Sequence, residues 1–247
     1  MTRVLHAFAD YGVESEVLAT IGTVTRWTRD PQPNPHVSET VTVDLMERVP
    51  SGQFDLALLQ PRCTDESDMT SISGDPDGHD NQIARAREIA DEVADGYVIE
   101  NKPRDDLRGS TVLNGRMFGL PLAYERAFET TFPVRHPARH QTLGQKTVTP
   151  YFFSDRTREW WAATKGYHGD YPKQHLAKNA LPAAYVRCLV RSFLESLDTR
   201  DAEVPQDNNN RPPPKILPDQ ATLPQMSGGR NGRSVETETD REDEDDG

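Results

Sequence analysis

Short apolar runs recur along the first hundred residues, separated by turn signals and one helix-period stretch. Val4-Leu-His-Ala-Phe8 reads as a first strand, followed by a turn at Asp10-Tyr-Gly12 and a helix over roughly 13–20. Gly22-Thr-Val-Thr-Arg-Trp27 is a second strand, closed by the Pro-rich segment 30–35, and Glu39-Thr-Val-Thr-Val43 a third, ending at Asp44. The run Phe54-Asp-Leu-Ala-Leu-Leu-Gln60 stops abruptly at Pro61, the pattern of a fully buried strand feeding a loop. After an acidic Gly/Ser/Asp loop at 64–80, residues 81–94 place Ile83, Ala86, Ile89, Ala90 and Val93 on one helix face. A fifth strand follows at 97–100. Strands alternating with helices at this spacing predict an α/β fold with a doubly wound, mostly parallel sheet.

Further along, strands are expected near 111–114 and 126–129, then an irregular aromatic stretch to about 180. A helix is expected from Pro182 to about Asp198, with proline at its first position. The pattern divides the chain into a core at 1–133, a short insertion at 134–178, a returning helix at 179–198 and an acidic tail at 199–247. The tail, rich in Asp, Asn, Pro, Gly and Glu, is expected to be disordered because it has too little apolar surface to bury.

Two strand ends carry the candidate chemistry. Open α/β sheets bind ligands at the carboxyl ends of their strands. Cys63 lies just beyond the fourth strand and Glu100 at the exit of the fifth, so parallel pairing would bring a thiol and a carboxyl group to one edge. Cys188, on the apolar side of its helix, reads as a small core residue, and two cysteines are too few for a disulfide framework. No apolar run reaches membrane-spanning length and no signal-type apolar region stands in the chain, so a soluble cytoplasmic protein with no membrane partner is expected.

Charge adds a possible partner. The net charge is −12, yet residues 101–192 hold 15 bases against 7 acids. A basic half inside an acidic chain is the footprint of a polyanion-binding face. Only 6 of the 28 basic residues are Lys, and an acid-rich, Lys-poor surface suits concentrated salt, as in a halophile or its virus.

Several pieces, in order, resemble the DNA cytosine-5 methyltransferases, above all the short versions carried by tailed viruses. Pro61-Arg62-Cys63 is similar to that family's Pro-Pro-Cys loop, and Val98-Ile-Glu100-Asn101 to its Glu-Asn-Val strand end. Met117-Phe-Gly-Leu120 with Glu125-Arg126-Ala-Phe-Glu129-Thr-Thr-Phe-Pro133 resembles the viral Met-Phe-Gly-Leu and Arg-x-Arg-Leu-Phe-Glu-Thr segments. Asn179-Ala-Leu-Pro-Ala-Ala-Tyr185 resembles the segment that opens the last helix. The resemblance covers about 4–198 and implies a Rossmann-like, S-adenosylmethionine-dependent fold. Its implied partner is double-stranded DNA, bound by a monomer that flips a cytosine out of the duplex. It makes Cys63 the nucleophile, Glu100 the partner of the ring nitrogen and amine, and Arg126 the contact to the base carbonyl. For the cofactor it implies Phe8, Gly12, Asp30, Asp44, Pro61 and Asn179.

The chain also departs from that pattern. Asp10 stands in place of one glycine of the first turn, His6 in place of an acid, and Thr28 where the second strand should end in an acid, with Asp30 as substitute. Arg62 replaces a proline, and Tyr124 the first arginine of the Arg-x-Arg pair. These departures motivate an alternative reading, a methyltransferase-fold DNA-binding protein that has lost catalysis. No metal is expected. Residues 75–80 have calcium-loop composition without its spacing or closing Glu, and Pro137 breaks the helix that would align His136 with His140. The aromatic residues Tyr151-Phe-Phe and Trp160-Trp161 can serve as core or as base-stacking platforms.

Overall fold

The computed structural model describes residues 1–62, 82–103, 106–138 and 147–203, the last four of these by backbone alone. Cys63, the acidic loop, His140 and residues 204–247 lie outside the described residues.

Seven strands form one sheet: β1 (Thr2–Ala7), β2 (Gly22–Thr28), β3 (Glu39–Thr42), β4 (Phe54–Leu59), β5 (Ala94–Asn101), β6 (Thr111–Asn114) and β7 (Glu125–Thr130). Their order is β3-β2-β1-β4-β5-β7-β6. The first five run parallel, and β7 enters antiparallel between β5 and β6. This is the expected doubly wound, mostly parallel, Rossmann-like sheet.

Alternation along each strand explains the two layers of helices. Val4, Val24, Leu56, Leu58 and Val98 face one layer, with Leu18 of α1 (Ser15–Leu18) and Tyr185, Leu189 and Phe193 of the last helix. Leu5, Ala7, Trp27, Ala57, Leu59 and Ile99 face the other, covered by Ala86, Ile89, Ala90 and Val93 of α2 (Gln82–Val93). Burying both faces is what makes Phe54–Leu59 an almost unbroken apolar run. An ion pair between Arg87 of α2 and Glu129 of β7, at 2.8 Å, fastens this second layer to the sheet.

The segment expected to be irregular up to 180 instead holds a 3-10 helix at Pro150–Asp155 and two short helices, α3 (Arg158–Lys165) and α4 (Lys173–Lys178). Thr157 caps α3 by accepting from Trp160 N, and Gly166 ends it with a left-handed φ of 81°. Their apolar anchors, Trp161 and Leu176, are fully buried in the first layer. The aromatic run is therefore divided: Trp161 is core, whereas Tyr151 and Phe152 are exposed. The last helix, α5 (Ala183–Glu203), runs beyond Asp198, so the first residues of the expected tail are helical. Cys188 is buried as expected, its thiol donating to the Arg135 carbonyl. Among the described residues no helix is long and apolar enough to cross a membrane, and no group of His, Cys, Asp and Glu could hold a metal ion.

Candidate functional site

Strand order reverses between β1 and β4, and the crevice outside their carboxyl ends is where a doubly wound sheet binds ligands. Two cavities occupy that position. The larger, about 590 Å³, is lined by the β1 exit from Phe8 to Gly12, the β4 exit from Gln60 to Arg62, and Glu14, Glu100, Arg126, His175 and Asn179. The smaller, about 240 Å³, lies over the ends of β2 and β3 against Thr28, Val43, Asp44, Leu45 and Met46. Phe8, Asp10 and Arg62 line both.

The β1 exit is held in one shape. Phe8 takes a left-handed φ of 58°, which costs a non-glycine residue about 1–2 kcal/mol. Its amide is fixed by a bond to Trp27 O. Gly12 has φ 57°, and a Cβ there would meet Arg26 Cδ at 3.2 Å, so the one surviving glycine is required. The turn's carbonyls are taken up by β2 and the segment after it. Arg26 Nη1 donates to Asp10 O at 3.0 Å, and Asn34 Nδ2 donates to Tyr11 O and Gly12 O at 2.9 and 2.8 Å.

Beneath the larger cavity lies a buried polar chain. His6 Nε2 lies 2.8 Å from Gln60 Oε1, which can only accept, so this nitrogen carries the proton. His6 Nδ1 then accepts from the Ser15 hydroxyl at 2.9 Å. Gln60 Nε2 donates onward to Glu100 Oε2 at 3.4 Å. Burial lowers the His6 pKa to about 4, outweighing the opposing effect of its Gln60 bond. The ring is thus neutral near pH 7, and its 3.7 Å approach to Glu14 is not an ion pair there. Glu14 receives the Leu181 amide at 2.7 Å, and burial pushes its carboxyl pKa up.

Glu100 and Arg126 meet across the β5–β7 pairing, with Arg126 Nε 3.2 Å from Glu100 Oε1. That N–H is directed at the Tyr124 hydroxyl, 3.0 Å away, and among the described residues no donor hydrogen-bonds Oε1. Burial raises the Glu100 pKa, more than the Arg126 charge lowers it. Tyr124, standing where an arginine was expected, donates to Lys178 O and so ties β7 to α4.

Most of the residues implied by the resemblance thus converge: Phe8, Gly12, Pro61, Glu100, Arg126 and Asn179 line the larger cavity, and Phe8 and Asp44 the smaller. Cys63 lies outside the described residues, next in sequence to Arg62. Asp30 is exposed and lines neither cavity; Thr28, two residues earlier, is the last buried residue of β2. Sequence reasoning missed Glu14, Gln60, Lys165 and His175. Lys165 is buried, its Nζ donating to Ala177 O and Ala180 O and lying 4.0 Å from the Tyr124 ring centre, and burial pushes its pKa well down. His175 packs on Tyr11 at 4.3 Å, and burial lowers its pKa to about 4. Nothing in their spacing marks these residues; only the packing of α3 and α4 against the sheet brings the last two to the site.

No protein-family model and no curated protein matches the chain. Solved structures similar to it include Thermoplasma acidophilum 1320, at 13% identity over 57% of this chain and 80% of that one, TM-score 0.36. DhpI in complex with SAM and HEP is similar at 12% identity over 53% and 63%, TM-score 0.29. The glycopeptide N-methyltransferase MtfA with (S)-adenosyl-L-methionine is similar at 12% identity over 53% and 59%, TM-score 0.29. The chain spans less than two thirds of the latter two. Likenesses of this level carry no functional argument, which rests instead on the site.

Proposed function

We propose that the chain is an S-adenosylmethionine-dependent DNA cytosine-5 methyltransferase. The observation that carries this reading is the pairing of buried Glu100 with partly buried Arg126 in a cavity that also receives the exits of β1 and β4. The cavities fit the cofactor. The smaller one offers the apolar surfaces of Val43, Leu45 and Met46 to a flat base, with carboxylates at Asp10 and Asp44 to accept from amine and hydroxyl donors. The larger gives the rest of the molecule Phe8, Gly12, Pro61 and Asn179. Bound there, S-adenosylmethionine supplies an electrophilic methyl group.

The protein's own groups act on the base. Glu100, its pKa raised, can present a proton to the ring nitrogen of a flipped cytosine while accepting from the exocyclic amine. Arg126 contacts the base carbonyl, and the Cys63 thiolate adds to carbon 6, making carbon 5 nucleophilic, and leaves as the 5,6 double bond re-forms once carbon 5, now methylated, has lost its proton. Exposed Tyr151 and Phe152 offer aromatic faces on which unstacked bases can lie.

Duplex DNA carrying 5-fluorocytosine tests this directly, since fluorine at carbon 5 prevents release of the thiol. Wild-type protein should form a denaturation-resistant adduct only with S-adenosylmethionine present, and Cys63→Ser should form none. Glu100→Gln should slow trapping by about 10²-fold or more. The altered turn at Asp10 and the Pro61-Arg62 pair favour the second reading, DNA binding without catalysis. Duplex binding with no adduct would replace the first reading by the second.

A further inference from the structure

Asp10 stands where a glycine was expected, and Thr28 where a strand-end acid was expected; the structure brings the two together. Thr28 Oγ1 donates to Asp10 Oδ1 at 2.5 Å. The carboxylate thus lies over the end of β2 although its backbone belongs to the β1 exit. Asp10 O is anchored twice, by Arg26 Nη1 at 3.0 Å and by Gln32 N at 2.8 Å, so the backbone is fixed and the Thr28 bond holds the side chain. The second oxygen, Oδ2, has Arg62 Nη2 at 4.0 Å, outside hydrogen-bonding reach. The side chain keeps 37% of its surface and borders both cavities, at their junction.

A partly open carboxylate with one oxygen fixed is an acceptor for neutral hydroxyl donors. It is also a poor neighbour for phosphate. In dinucleotide-binding sheets this turn is glycine-rich and the pyrophosphate sits on the N-terminus of the helix that follows. Here the turn carries Asp10, and α1 is a single short turn preceded by buried Glu14. A carboxylate at the turn where an anion would lie opposes its binding.

We propose that Asp10, positioned by Thr28, binds the 2′- and 3′-hydroxyls of a nucleoside at the junction of the cavities, and that it excludes nucleotides carrying a 5′-phosphate. The ligand class is a nucleoside with a free ribose diol and a neutral or cationic 5′ substituent. This rests on the cofactor reading above and assigns Asp10 the place that the second strand's own end leaves without an acid.

The test is calorimetric titration of the full chain with S-adenosylhomocysteine, its 2′-deoxy and 3′-deoxy analogues, and adenosine 5′-monophosphate. Wild type should bind S-adenosylhomocysteine, bind at least one deoxy analogue roughly tenfold or more weakly, and give no measurable heat with the monophosphate. Asp10→Asn and Thr28→Val, checked for folding by circular dichroism, should weaken S-adenosylhomocysteine and shrink its advantage over the deoxy analogues. Equal affinities for all three thioethers in wild type overturn the assignment while leaving the cofactor reading intact. So does a larger loss in Asp30→Asn than in Asp10→Asn. Tight binding of the monophosphate overturns the exclusion. No heat from S-adenosylhomocysteine at any concentration overturns both readings together.

Discussion

Lowering the pH from 7 to 5 should destabilise the wild-type protein through His6, and His6→Asn should remove that part of the loss. The imidazole is fully buried, with Nε2–H committed to Gln60 and Nδ1 accepting from Ser15. Its folded pKa is lowered from 6.5 to about 4. Unfolded chains therefore take up a proton below pH 6.5 that the folded protein refuses until about pH 4. Stability from this group is fully present above 6.5 and is lost as pH falls towards 4. The whole window is worth on the order of 3 kcal/mol, and the interval from pH 7 to 5 about 2 kcal/mol of it. The raised pKa values of Glu14 and Glu100 act oppositely: the folded state holds those protons more tightly, so their cost at neutral pH is relieved as pH falls. Both carboxyls remain in the variant, so comparing the two proteins isolates the imidazole. Urea unfolding at the two pH values reads the difference. With an m-value of about 2 kcal/mol/M, the wild-type midpoint should fall about 1 M further than that of His6→Asn. Equal falls in the two proteins would refute a neutral, buried His6.

Arg87→Met should lower stability by on the order of 3–5 kcal/mol, because it leaves the Glu129 carboxylate buried without its charged partner; thermal melting of the Arg87→Met, Glu129→Gln double variant should recover part of the loss. Ending the chain after Glu203 should leave the melting temperature in molar salt within a few degrees, since among the described residues Phe193 is the last fully buried apolar side chain of α5; a drop of many degrees would show that the acidic segment packs.

The strand pattern was legible from the chain alone because a strand buried on both faces must be apolar on both. Phe54–Leu59 and the one-sided helix at 82–93 could serve no other arrangement, and their alternation dictated a parallel sheet with its site at the β1 and β4 exits. Glu100 was equally legible, a carboxylate at the end of an apolar run. What the pattern could not carry was anything that depends on distant segments meeting. Helices α3 and α4 are short and polar on most positions, and exist because Trp161 and Leu176 find the core. His6 has no mark in the sequence of its lost charge, which follows from burial between Ser15 and Gln60. Asp10 read as the loss of a glycine. Its carboxylate reaches the end of β2 only because β1 and β2 run parallel in register and Arg26 draws the turn over Thr28, a placement decided by the tertiary structure.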